Sequence, residues 1–130
     1  MRKRHPPDDP REWINRSHSD LEIARSRKEG VYLEDLCFHA RQAAEKAIKA
    51  LLIKHGVEFP YVHDIAQLLT LLAKTGLPVP ERIREAARLT RFAVITRYPG
   101  LTPPVDDEEY EEALALAQDL IHWVESRIRG

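Results

Sequence analysis

Apolar positions recur at helical spacing along nearly the whole chain, and no run alternates with period two over a convincing length. The pattern is most regular near the C-terminus. Tyr110, Ala113, Leu114, Ala117, Leu120, Ile121, Val124 and Ile128 follow i, i+3, i+4, i+7 spacing and form one continuous face. Leu36, Ala40, Ala43, Ala44, Ala47 and Leu51 repeat the pattern upstream with mostly small side chains, which lets a neighbouring helix approach closely. Helix starts are marked at Asp9, Asp64 and Asp106, each followed three positions later by Glu12, Gln67 or Glu109, a spacing at which two side chains satisfy each other's orphan amides. Pro10 suits a first helical position, and Gly56 and Gly76 stand as stops. These signals predict five helices, at about 10–29, 32–55, 64–75, 80–97 and 106–128. Gly30 separates the first two, Pro80 opens the fourth, Pro99-Gly100 closes it and Pro103-Pro104 leads to the last. Connections this short make successive helices antiparallel. The expected fold is all-α, an antiparallel up-and-down bundle of four main helices plus one short helix. It is expected to be a single domain over residues 1–130 with residues 1–8 as a flexible arm.

Composition supports that picture. A chain of 130 residues with 43% hydrophobic and 32% charged positions buries one core. Its formal net charge of −1 argues against a general polyanion binder. The single cysteine, Cys37, excludes an internal disulfide and a Cys-rich zinc site, and between Leu36 and Phe38 it reads as a packed thiol. Apolar stretches such as 50–53 and 65–73 stop far short of the ~20 residues of a membrane span. The basic start, Arg2-Lys3-Arg4, runs into Asp8 and Asp9 instead of an apolar segment, so it is not a signal peptide, and the chain reads as cytoplasmic. One asparagine and three glutamines against 20 basic and 21 acidic residues give a thermophile-like composition.

Candidate chemistry lies beside the core of the second helix. His39, Gln42, Lys46 and Lys49 are spaced i, i+3, i+7, i+10, about 60–140° round the helix from Leu36. This line is either a solvated face with lysine stems lying over apolar neighbours, or a groove edge offering a ring nitrogen, an amide and two ammonium groups to an anionic ligand. His63 precedes the helix opened by Asp64, where exposed amides also favour phosphate. Farther along, Arg82, Arg84, Arg88, Arg91 and Arg97 are opposed only by Glu85, a local charge of +4. Arg84, Arg88 and Arg91 share a helical face by i, i+4, i+7 spacing. Six acids then follow within residues 106–112 and are expected to pair with the arginines, within the chain or across a dimer. There is no P-loop, no Gly-x-Gly-x-x-Gly, no His-Glu-x-x-His and no Gly-x-Ser-x-Gly, and the six histidines are too dispersed to nominate a metal site. No catalytic residue and no cofactor is expected from these patterns.

The stretch from Phe38 to Leu52, FHARQAAEKAIKALL, closely resembles the signature helix of the HEPN family, the higher-eukaryote and prokaryote nucleotide-binding domains. Matches flank it in order: Asp20-Leu21 and Ala24 before, then His63-Asp64-Ile65, Thr96-Arg97-Tyr98-Pro99-Gly100, and Tyr110 with Ala113 and Ala117. The resemblance implies a helical bundle that forms homodimers and, in prokaryotes, acts with a separately encoded minimal nucleotidyltransferase protein in a toxin–antitoxin-like pair. It also implies a nucleotide or other phosphorylated small-molecule ligand. The nucleotide-binding candidates are His39, Gln42, Lys46, Lys49, His63, Arg97 and Tyr98. Lys46, Lys49 and Arg97 would neutralise phosphate, Gln42 and His63 would hydrogen-bond base or ribose, and Tyr98 would stack. Other branches of the family are metal-independent ribonucleases that carry arginine four to six residues before histidine in a late helix. Here Arg97 has no such histidine after it, and the one formal match, Arg11 with His18, falls in the first helix. The expectation is therefore a non-catalytic nucleotide-binding subunit. The alternatives are an RNA-cleaving dimer, with RNA not the favoured partner, and a helical interaction module without ligand.

Overall fold

The computed structural model of this chain describes residues 2–59, 64–95 and 103–129, the side chains of residues 94 and 95 excepted. The described residues form helices and no strand. Helix α1 spans Pro10–Arg25, α2 Leu33–Lys54, α3 Ile65–Ala73, α4 Glu81–Arg84, α5 Phe92–Ile95 and α6 Asp107–Arg129, with a 3₁₀ segment at Glu85–Arg91 between α4 and α5. The all-α bundle expected from the pattern is the fold observed. None of the described helices is long and apolar enough to cross a membrane.

Local chemistry explains the ends. The Asp9 carboxylate accepts the Arg11 amide at 2.9 Å, and Pro10 occupies the first turn. Glu12 does not complete the reciprocal cap at this end: it accepts the His5 amide at 2.8 Å. At α6 the reciprocal pair does form, with Asp106 accepting from the Glu109 amide at 2.7 Å and Glu109 from the Asp106 amide at 3.4 Å. Helix α1 ends four residues before the expected limit, because the Ser26 hydroxyl donates to the Glu22 carbonyl at 2.7 Å and competes with further helix. Gly56 and Gly76 take positive φ, +69° and +90°, as helix stops require.

The fourth helix, expected as one piece over 80–97, is instead α4, the 3₁₀ segment and α5. Its apolar residues explain why. Ile83, Ala86, Leu89 and Phe92 are all buried, and they recur every three residues. A 3₁₀ helix eclipses i and i+3 and keeps such a set on one line, whereas an α-helix would rotate it away by about 60° per step. The same period selects the arginines that face α6. Arg82 Nε meets Asp119 at 2.9 Å, Arg88 meets Glu112 at 3.7 Å and Arg91 meets Glu109 at 2.9 Å. Arg84, expected on that face, donates instead to the Val79 carbonyl at 3.2 Å. The arginine and acidic faces thus pair within one chain.

Helix α2 is the axle of the bundle, with α1 and α6 packed along it and α3, the 3₁₀ segment and α5 covering further parts. Its alanines 40, 43, 44 and 47 are buried, as the stripe implied. Close approach of α1 lets the buried Ser17 hydroxyl donate to the Ala43 carbonyl at 2.6 Å. On α6 the Tyr110 hydroxyl donates to the Ala24 carbonyl at 2.6 Å. Leu116 and Trp123, outside the expected α6 stripe, are also buried. Leu116 joins Leu89 and Phe92 in lining a cavity of about 570 Å³ between α6 and the 3₁₀ segment.

Of residues 1–8, expected as a flexible arm, residues 2–8 lie along α1. Asn15 Nδ2 donates to the Lys3 carbonyl at 2.9 Å, and Trp13 Nε1 donates to the Pro7 carbonyl at 2.7 Å. The C-terminal ends of α2 and α6 meet where the Lys54 ammonium donates to the Ile128 carbonyl. At the opposite end of α2, Arg27 meets Asp107 at 2.6 Å and Glu34 accepts the Val105 amide at 2.7 Å.

Candidate functional site

The polar line of α2 lies at its seam with α1, and the central group there is an acid of α1. Asp20 is 7% exposed. One of its carboxylate oxygens accepts from Lys46 Nζ at 2.6 Å, and the other lies 3.0 Å from His39 Nδ1. A carboxylate oxygen only accepts, so His39 Nδ1 is the donor in that contact. His39 is half-buried. Gln42 is half-buried too, with no side-chain hydrogen bond to the described residues.

One turn farther on, Lys49 is 8% exposed. Its Nζ lies 3.3 Å from Glu45 Oε1, and 6.0 and 5.5 Å from the ring centroids of Trp13 and Phe59. The two rings meet edge to face with centroids 6.3 Å apart. Glu45 also takes Arg41, so a ladder Arg41–Glu45–Lys49 runs up α2 at i, i+4, i+8 within the buried layer. Desolvation makes a buried ammonium costly unless it is paired. Glu45 and the two aromatic faces meet that need for Lys49.

The structure therefore brings His39, Gln42, Lys46 and Lys49 to one seam, and gives both lysines internal carboxylate partners. His63, Arg97 and Tyr98 lie outside the described residues. Asp20 as the shared acceptor, Glu45 as the partner of Lys49 and the Trp13–Phe59 pair are not among the residues that the α2 spacing nominates. The Glu45 contact was readable, since Arg41, Glu45 and Lys49 stand at the i, i+4 spacing of helical ion pairs. The role of Asp20 was not readable, because it depends on how α1 docks on α2.

Elsewhere His18 and the thiol have structural surroundings. His18 Nε2 meets Glu125 at 3.2 Å, and Arg11 is held by Asp9 at 2.7 Å, so the only formal Arg–His match is divided between two different carboxylates. Cys37 is fully buried, and desolvation pushes its thiol up to about 12, which keeps it protonated and unreactive near neutrality. Among the described residues no group of three or more His, Cys, Asp or Glu is arranged to hold a metal ion.

Several solved structures share this bundle. The archaeal HEPN homologue ST0689 superposes with a TM-score of 0.75 at 31% identity, covering 92% of this chain and 98% of that one. TT1696 from Thermus thermophilus gives a TM-score of 0.75 at 36% identity, over 90% of this chain and 96% of that one. An HEPN domain protein of Thermotoga maritima, tm0613, shares the fold at 23% identity and a TM-score of 0.70, covering 90% of this chain and 97% of that one. A protein named "Putative toxin MJ1304", from Methanocaldococcus jannaschii, is 38% identical over 47 residues, which is 36% of this chain and 31% of that relative. The HEPN domain matches residues 10–127. The chain belongs to the HEPN domain family.

Proposed function

We propose that this chain is a non-catalytic, nucleotide-binding HEPN subunit of a toxin–antitoxin-like pair, a homodimer acting with a separately encoded minimal nucleotidyltransferase. The observation that carries the reading is the Lys46–Asp20–His39 cluster, a partly accessible group of an ammonium, a carboxylate and an imidazole on one seam, with Lys49 one turn farther on. A phosphate competes with Asp20 for the Lys46 ammonium, and the charge-assisted bonds it forms there are the strong kind. Gln42 offers both donor and acceptor to a base or ribose, and a ribose hydroxyl, itself donor and acceptor, can pair with His39 Nε2. The family resemblance adds His63, Arg97 and Tyr98 to the same ligand. The relative named as a toxin supports the pairing, over the third of this chain that it matches.

The test is calorimetry and thermal shift with purine and pyrimidine nucleoside triphosphates, with and without Lys46→Ala and Lys49→Ala. Binding that survives both substitutions refutes the site. The ribonuclease alternative gains nothing from the positions of Arg11 and His18, and single-stranded RNA should remain intact without added metal.

A further inference from the structure

We propose that the groove between the N-terminal arm and the outer face of α1 docks an acidic peptide segment that carries an apolar side chain. The arm is held in place: the side chains of Glu12, Trp13 and Asn15 bond to its backbone at His5, Pro7 and Lys3. Its cations are therefore displayed on a formed surface and not on a free tail. Arg2, Lys3, Arg4 and Arg16 line a cavity of about 490 Å³ together with Glu12, Glu22 and Ile23. The arm cations have no salt bridge to a described residue, whereas both carboxylates are engaged, Glu12 by Arg16 at 2.7 Å and Glu22 by Arg25 at 3.1 Å. Ile23, at 43%, is one of two large apolar side chains the described surface exposes.

That mixture selects the occupant. A phosphodiester strand carries a charge on every residue and would set some of them against Glu12 and Glu22, while leaving Ile23 with no apolar partner. A peptide spaces its charges. Its acids can meet the arginine forks of the arm, and an apolar residue can cover Ile23. The groove lies on a different face of α1 from Asp20, so the proposal is independent of the nucleotide reading.

Fluorescence anisotropy on the full chain tests it, with a labelled short peptide of alternating glutamates around one leucine as probe. The peptide should bind, and binding should weaken with added salt. Joint substitution Arg2→Ala, Lys3→Ala and Arg4→Ala should weaken it about tenfold. Ile23→Ser should weaken it about threefold, and so should replacing the leucine of the peptide with serine. Circular dichroism melts report whether each variant is folded; both substitution sites are exposed. The proposal is overturned by no peptide binding at low salt, by insensitivity to Ile23→Ser, by oligouridylate binding more tightly than the peptide, or by light scattering that shows the groove filled by a second copy's acidic α6 start.

Discussion

Asp20 and Lys46 stand 26 residues apart in sequence, yet Oδ2 and Nζ are 2.6 Å apart, joining α1 to α2 at the edge of the core. Asp20→Asn keeps the shape and removes the charge. Losing a charge-assisted bond at this partly buried position should lower stability by about 1–3 kcal/mol. If the seam binds phosphate, triphosphate affinity should rise, because an internal competitor has gone. Urea denaturation reads the first effect and calorimetry the second; weaker triphosphate binding by this variant would contradict the competition argument.

Glu45 and Lys49 should respond unequally. Glu45→Ala removes the acceptor that Arg41 and Lys49 share in the buried layer and should cost about 3–5 kcal/mol, the range for breaking a buried ion pair from one side. Lys49→Met retains a stem against Trp13 and Phe59 without the charge. Its cost should stay within about 1.5 kcal/mol. Equal costs for the two variants in chemical denaturation would refute the assignment of Glu45 as the shared partner.

Alkaline pH should destabilise the fold through Cys37. Burial raises the thiol from 9.0 to about 12 in the folded state, so folding favours the protonated form. The associated stability is complete below pH 9 and is lost as pH rises toward 12. Tyr110 acts in the same direction from 10.0 upward, again through burial. Thermal melts of Cys37→Ala should show a flatter decline above pH 9 than the parent chain. Tyr110→Phe, which removes the bond to the Ala24 carbonyl, should cost about 1–3 kcal/mol at neutral pH.

The 3₁₀ segment is held by its apolar line and not by its arginines. Leu89 is fully buried, so Leu89→Ala should cost about 2–5 kcal/mol. Arg91 and Glu109 are about half and one-third exposed, and Arg91→Ala should cost under about 1 kcal/mol. Denaturation midpoints in which Arg91→Ala is the more damaging change would reverse that ranking.

The helices and the main core stripes were readable from the chain because each rests on local spacing: the α2 alanines, the α6 face, and Gly56 and Gly76. The fourth helix is bounded in the sequence by Pro80 and Pro99-Gly100, which mark its ends and not its winding, while the spacing of three in Ile83, Ala86, Leu89 and Phe92 carries the 3₁₀ turn. The α2 side of the seam was legible because His39, Gln42, Lys46 and Lys49 share one helix, whereas Asp20 and the Trp13–Phe59 pair enter through packing between elements distant in sequence, which no spacing rule encodes.

The arginines of residues 82–91 and the acids of α6 meet at close range across one face of the bundle. Opposite charges so near each other present little field beyond a Debye length, about 8 Å at physiological ionic strength. Two segments that are strongly charged along the chain therefore leave a face with much less long-range pull than either run alone would exert. Added salt should weaken those exposed pairs while leaving the buried apolar line beneath them in place.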